Sequence, residues 1–182
     1  MSTTLTSRVE PRVWIGCLSC YNGGRLVGDW YDADIADLVT PEDLHGGATQ
    51  HEELWVMDHE NFLGTISGEC SPSYAAEIAR ILKDLSPEEA GAFATWMSEL
   101  GTDVEPDRWV ERFRDEFRGS YESQAHFAQE WAEVTAEPED KARMRVWPFN
   151  SINWERAADE LFSGGFHAEP ASGGGVYVFC PR

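Results

Sequence analysis

Lysine is nearly absent from this 182-residue chain: Lys83 and Lys141 stand against twelve Arg. Between Leu26 and Ala79 there is neither Lys nor Arg. Long apolar runs are missing too. None approaches the roughly 18 residues that a membrane-spanning helix requires, so a membrane protein of that kind is excluded. The opening Met1-Ser2-Thr3-Thr4-Leu5-Thr6-Ser7-Arg8 lacks the hydrophobic stretch of a secretory signal. Cysteine is scarce, four residues, and without a leader these fit a reducing cytoplasm better than a disulfide framework. Cytoplasmic localisation, with no membrane partner, is the expectation.

What the chain does have is acid and aromatic. Its 33 Asp plus Glu against 14 Lys plus Arg give a net charge of −19. Eight Trp and an apolar fraction of 42% supply too much core material for a disordered acidic tail. At that charge, nucleic acid and anionic membrane repel the protein and basic surfaces attract it. Direct nucleic-acid binding is therefore not expected. The cation-free stretch holds Asp29, Asp32, Asp34, Asp37, Glu42, Asp43, Glu52, Glu53, Asp58, Glu60, Glu69 and Glu77. Like charges within about 10 Å raise the energy of the folded state, so keeping one sign here sacrifices stability. Adaptation to high salt accounts for an acidic, lysine-poor composition but not for a one-signed segment.

The pattern along the chain predicts an α+β protein. Arg12–Leu18 reads as a strand, Tyr21-Asn22-Gly23-Gly24 as a turn and Arg25–Tyr31 as the returning strand of a hairpin. Glu53–Asp58 reads as a third strand. Thr40-Pro41-Glu42-Asp43 reads as the capped start of a short helix. Ser71-Pro72 opens a helix with Tyr74, Ile78, Ile81, Leu82 and Leu85 inward. Ser86-Pro87-Glu88-Glu89 is a capping box opening another, with Phe93, Met97 and Leu100 on one face and Gly101 ending it. A third helix is expected from Glu105-Pro106, with Trp109, Val110, Phe113 and Phe117 inward and Gly119 as its stop. A fourth, capped by Ser120, carries Phe127, Ala128, Trp131 and Thr135. Ser151–Phe162 is a last helix, and Phe166–Ala168 and Gly175–Phe179 are closing strands around a Gly-rich turn.

Most motifs that would carry chemistry are incomplete. Neither Lys83 nor Lys141 follows Gly, so there is no P-loop, and the zincin pattern fails because Trp55 and Leu63 stand where a second His is needed. Asp32-x-Asp34 resembles a calcium loop, but Asp37 occupies the sixth position, where Gly is required. Cys17-x-x-Cys20 has zinc or redox spacing, yet no second pair follows and the pair ends a strand rather than opening a helix. Buried unreactive thiols are the expectation, with no metal and no cofactor. Acid pairs such as Glu52 and Glu53 beside many Trp leave a carboxylate-pair hydrolase as an alternative. A generic acidic or salt-adapted interaction module is another. No Gly-x-Ser-x-Gly nucleophile is present, and the expectation is a protein without catalytic residues.

Duplex DNA carries one negative charge per about 1.7 Å, so nineteen charges match roughly 32 Å of duplex. Acids three or four residues apart on a helix make a phosphate-like row. Asp103, Asp107, Glu111 and Asp115 repeat at four, and Glu130, Glu133 and Glu137 at three and four. With Asp29, Asp32, Asp34, Asp37, Glu42, Asp43, Glu52, Glu53, Asp58 and Glu60 they are the candidate DNA-mimicking surface. For a dimer, the C-terminal part is the favoured interface. It mixes Arg143, Arg145 and Arg156 with acids and offers the apolar strand Val176-Tyr177-Val178-Phe179, whereas the acidic N-terminal part would repel its copy.

Three ordered segments resemble the ArdA antirestriction proteins of plasmids, phages and conjugative elements. Arg12–Trp30 is similar to the family's opening strand, Tyr-Asn-x-Gly turn and Gly-x-Trp strand. Phe117-Arg118-Gly119-Ser120-Tyr121-Glu122-Ser123 with Phe127-Ala128 resembles its Tyr/Phe-x-Gly helix segment. Ile152–Leu161 followed by Gly175–Phe179 resembles its final helix and strand. The resemblance implies an elongated subunit of three small domains, here residues 1–68 (β-rich, acidic), 69–101 (helical) and 102–182 (α+β, with the dimer interface). It implies a homodimer that mimics curved B-form DNA and inhibits type I restriction–modification enzymes at their methyltransferase core. The family's acidic antirestriction cluster would fall at Glu130, Glu133, Glu137, Glu139 and Asp140. Lys141, Arg143 and Arg145 directly after it depart from an all-acidic surface.

Overall fold

The computed structural model describes residues 8–99 and 106–180. It is mixed α+β, and the chain divides into two compact units, residues 1–99 and 100–182.

The N-terminal unit is built on a three-stranded antiparallel sheet. Strand β1 (Arg12–Cys17) lies between β2 (Gly28–Asp32) and β3 (Leu54–Glu60). Period-two alternation sends Val13 and Ile15 of β1 into the core, joined by Val56 of β3. On the opposite face Arg12 pairs in register with Asp32 and Glu60, and Trp14 with Trp30 and Asp58. The Trp14 indole lies flat along that face because Gly16 and Gly28 have no side chain. A Cβ on Gly28 would meet Trp14 Cη2 at 2.5 Å, and one on Gly16 would meet Trp14 Cζ3 at 2.6 Å.

The link from β1 to β2 differs from the hairpin expected. Leu18–Asn22 forms a helical turn, α1, closed by the Gly23 N–H on Ser19 O at 3.1 Å, and β2 begins at Gly28 rather than Arg25. Cys20 is buried within this turn, and the Arg25 N–H bonds to Cys20 O at 2.9 Å. After β2 a 3-10 helix (Ala33–Leu38) buries Ala33 and Ala36. Helix α2 (Pro41–His45) has the expected Thr40 cap, which Asp43 completes into a reciprocal capping box, and ends on Gly46 in the left-handed region (φ 68°).

Helix α3 (Pro72–Asp84) starts at Ser71 as expected. Its buried face is Ala75, Ala76, Ile78, Ala79 and Leu82, while Tyr74 and Ile81 are half-buried. Ile78, Leu82 and Leu85 point inward as expected, and the small Ala75, Ala76 and Ala79 share that buried face. Ser86 and Glu89 form the expected reciprocal box at the start of α4 (Pro87–Glu99), at 3.0 and 3.3 Å. Phe93, Trp96 and Met97 are buried along it. Leu100, Gly101, Asp103 and Glu105 lie outside the described residues.

In the C-terminal unit Pro106–Arg108 is a 3-10 turn leading into α5 (Trp109–Glu116), which buries Trp109 and Phe113. The helix stops earlier than expected. Phe117–Tyr121 is strand β4, so the Phe-x-Gly segment is extended, not helical, and Gly119 (φ 128°) sits at a bulge within it. Helix α6 (Gln124–Thr135) is capped by Ser123, not Ser120, through the His126 N–H. A short α7 (Pro138–Arg143), which the pattern did not suggest, precedes α8 (Trp154–Ser163), capped by Asn153. Strands β5 (His167–Pro170) and β6 (Val176–Phe179) complete a sheet of order β4-β6-β5. Phe127 anchors this core, with ring centroids 4.9 Å from Tyr121, 5.0 Å from Phe166 and 5.8 Å from Phe162. No helix among the described residues is long and apolar enough to cross a membrane.

Candidate functional site

The candidate surface is carboxylate, so its geometry is a question of which acids are neutralised. In the N-terminal unit the cation-free stretch acquires cations from outside itself. Arg12 lies 4.0 Å from Asp32 and 3.7 Å from Glu60. The Arg80 guanidinium donates to Asp37 at 2.6 Å and the Lys83 ammonium reaches Asp34 at 2.8 Å. Arg80 and Lys83 sit one helical turn apart on α3, so the two pairs clamp the 3-10 helix against it. The Lys83 hydrogen bond holds the Asp34 carboxyl below its ordinary value, against the opposing effect of burial. Asp43 is lowered by hydrogen bonds from the Thr40 backbone and hydroxyl.

The remaining acids stand differently. Asp29, Glu42, Glu52, Glu53 and Asp58 are all exposed, and no ion pair among the described residues includes them. They come from β2, α2, the loop before β3 and β3 itself. Of these, Asp58 shares the Arg12–Trp14 face of the sheet, whereas Asp29 pairs with Ile15 and belongs to the other face.

In the C-terminal unit Asp107 in the 3-10 turn and Glu111 and Asp115 on α5 are exposed, with Glu111 3.6 Å from Arg108. Asp103 is outside the described residues. Glu130 on α6 is 3.1 Å from His126, and Glu133 is exposed farther along the same helix. Glu137 precedes α7, and Glu139 and Asp140 occupy its first turn, where the helix dipole favours acids. Asp140 is 3.5 Å from Arg143. Glu133, Lys141 and Arg145 share the lining of a pocket of about 210 Å³, so the basic patch faces part of the acidic cluster. The four residues of β6 do not form a free surface. β6 is the central strand, and Tyr177, Val178 and Phe179 are buried within the chain. Exposed apolar side chains lie instead at Val146, Trp147 and Phe149, of which Trp147 is 79% exposed.

Two features were not legible beforehand. Glu116 is 1% exposed and accepts from Arg112 Nε at 2.7 Å. Among 33 acids nothing singles it out except its place one residue before a strand. The other is a cluster of Cys17, Cys20, His45 and His51, whose ligand atoms all lie within 4.8 Å of one another. Cys17 caps α1 at its N-terminus, Cys20 lies within α1, His45 ends α2 and His51 precedes β3. The missing second pair is thus two histidines rather than two cysteines. The signal was present as His45-x5-His51, a spacing that a search for His-x3-His passes over. Burial and the adjacent Cys17 thiol raise the Cys20 thiol above its ordinary value, while Arg25 acts the other way.

The family model for the antirestriction protein ArdA matches residues 13–173. No curated protein matches the chain.

Proposed function

Because the chain belongs to the ArdA antirestriction protein family, we propose that it mimics the charge and shape of B-form DNA and so occupies the DNA-binding site of a type I restriction–modification enzyme. The observation that carries this reading is the set of exposed carboxylates Asp29, Glu42, Glu52, Glu53 and Asp58, left without cations in a chain of net charge −19. Isolated surface charges of one sign gain nothing within the fold and are available to a basic groove. The target is the methyltransferase core, whose cations ordinarily meet phosphates. Glu130, Glu133, Glu137, Glu139 and Asp140 extend the mimic on the C-terminal unit. No step of this function is catalytic. It requires complementarity of charge and nothing transferred.

A homodimer through the C-terminal unit is part of the proposal. That unit offers mixed charge, the acids Glu139 and Asp140 with the cations Lys141, Arg143 and Arg145, beside the exposed Val146, Trp147 and Phe149. Sedimentation at micromolar concentration tests it: the wild type runs as a dimer and Trp147→Asp shifts it towards monomer. Titrating the purified protein into a type I enzyme on unmodified DNA tests the function. Cleavage falls as the inhibitor approaches the enzyme concentration, and cleavage unchanged at large excess, across several type I systems, would refute the reading.

A further inference from the structure

Four soft or borderline donors converge where β1, α1, α2 and the start of β3 meet. Cys17 Sγ is 3.2 Å from His51 Nδ1, Cys20 Sγ is 3.5 Å from the same nitrogen, and Cys20 Sγ is 3.9 Å from His45 Nε2. A tetrahedral zinc ion, with bonds of about 2.3 Å to sulfur and 2.0–2.1 Å to nitrogen, sets S···N edges at about 3.5 Å. The donors thus stand at the spacing of a coordination tetrahedron. Cys17-x2-Cys20 and His45-x5-His51 also fall within the ligand spacings that structural Cys2His2 sites use.

Hydrogen bonding alone accounts for the cluster less well. His51 Nδ1 has one lone pair and lies within reach of both sulfurs, so it can accept from one thiol and leaves the other without that acceptor. A thiol is a weak donor, and two buried Cys would not need two imidazoles to satisfy them. A metal at the centre uses one lone pair from each of the four side chains.

We propose that Cys17, Cys20, His45 and His51 bind one zinc ion in a closed structural site. With four protein ligands there is no open position for water or substrate, so the ion holds chain segments together and catalyses nothing. The donor set selects zinc over the hard cations calcium and magnesium, which take oxygen. Two thiolates and two neutral imidazoles leave the centre uncharged, so the ion does not cancel the acidic surface around it. Arg25 Nη2, 3.7 Å from Cys20 Sγ, supplies an outer donor to one sulfur.

The fold shows what such a site would stabilise. Helix α2 has five residues and none is buried, although it carries the exposed Glu42 and Asp43. A helix this short does not persist in water on its own, even when capped at both ends. His45 in its last turn and His51 beyond it would tie the stretch between β2 and β3 to Cys17 and Cys20. Binding of this kind contributes directly to folding. The proposed site departs from the sequence-based expectation of a metal-free protein.

The test uses the full-length, untagged protein, reduced and expressed with zinc in the medium. Elemental analysis is expected to find about one zinc per chain. Replacing zinc with Co2+ is expected to give the intense visible bands of a tetrahedral thiolate complex. Both signals should disappear in Cys17→Ser and in His51→Gln. Should those variants fold poorly, the wild type still decides: chelation with thiol modification should release one zinc, and re-adding Zn2+ to the reduced protein should raise its Tm. Four outcomes overturn the proposal. They are a substoichiometric wild-type metal content after zinc supplementation, an octahedral cobalt spectrum, a Tm indifferent to Zn2+, or zinc retained in either folded variant through surface acids.

Discussion

Glu116 shows how differently one carboxylate can be used from its neighbours. It sits at the end of α5, buried, with Arg112 one turn before it and Cys180 N–H bonded to its backbone carbonyl at 2.8 Å. Removing Glu116 deletes a buried carboxylate and its charged hydrogen bond to the partly exposed Arg112, at a cost of about 1.5–3 kcal/mol. Glu116→Ala is therefore expected to lower stability by about that amount, whereas Glu111→Ala, which removes an exposed carboxylate 3.6 Å from the equally exposed Arg108, changes it by less than about 1 kcal/mol. Urea unfolding of both variants measures the contrast. Equal effects would place Glu116 with the surface acids. The same distinction governs Asp34 and Asp37. They belong to the one-signed stretch in sequence, but Lys83 and Arg80 engage them in space, so they are poorer probes of mimicry than Asp29 or Asp58.

At the level of elements, the clamp between the 3-10 helix and α3 depends on ionised Asp34. Its folded-state pKa lies below the unfolded value near 3.8, so its stabilisation is complete above that value and disappears as pH falls through the lower, folded one. The stability difference between wild type and Asp34→Asn should accordingly be constant from neutral pH down to about 5 and vanish in stronger acid. Thermal melts of both proteins across that range test it, and a difference that grew with acid would refute the assignment. Much of this architecture was legible because caps are local. Thr40-Pro41, Ser71-Pro72 and Ser86-x-x-Glu89 announce helix starts through bonds made within three residues. What was not legible depended on distant partners. Phe117–Tyr121 looks helical by its apolar spacing, and becomes a strand because β6, more than fifty residues later, supplies its hydrogen bonds. Leu18–Asn22, read as strand end and turn, is a helical turn that places Cys20 beside His45 and His51, residues twenty-five or more positions later. The ion pairs of Arg80 and Lys83 were hidden for the same reason, since charge counted along the chain does not show which cations fold back onto it.

For the whole molecule, mimicry implies that binding energy is spread over many carboxylates, as phosphate contacts are in DNA complexes. Single changes among Asp29→Asn, Glu42→Gln, Glu52→Gln, Glu53→Gln and Asp58→Asn should each weaken inhibition slightly, and the five together clearly more. The fold should persist, with no ion pair among the described residues lost and some repulsion relieved. Inhibition titrations of the single and combined variants check this; one substitution that abolished inhibition in a folded protein would indicate a discrete site instead. Affinity should also fall with salt, since exposed charges are screened beyond about 8 Å at physiological ionic strength. The most direct measurement of the central claim is competition at equilibrium: a fluorescent unmodified duplex bound to the type I methyltransferase core, titrated with this protein at several duplex concentrations. Mimicry predicts that the duplex is displaced and that the inhibitor concentration for half displacement rises in proportion to the duplex present. A ternary complex, or a midpoint independent of duplex concentration, would contradict it.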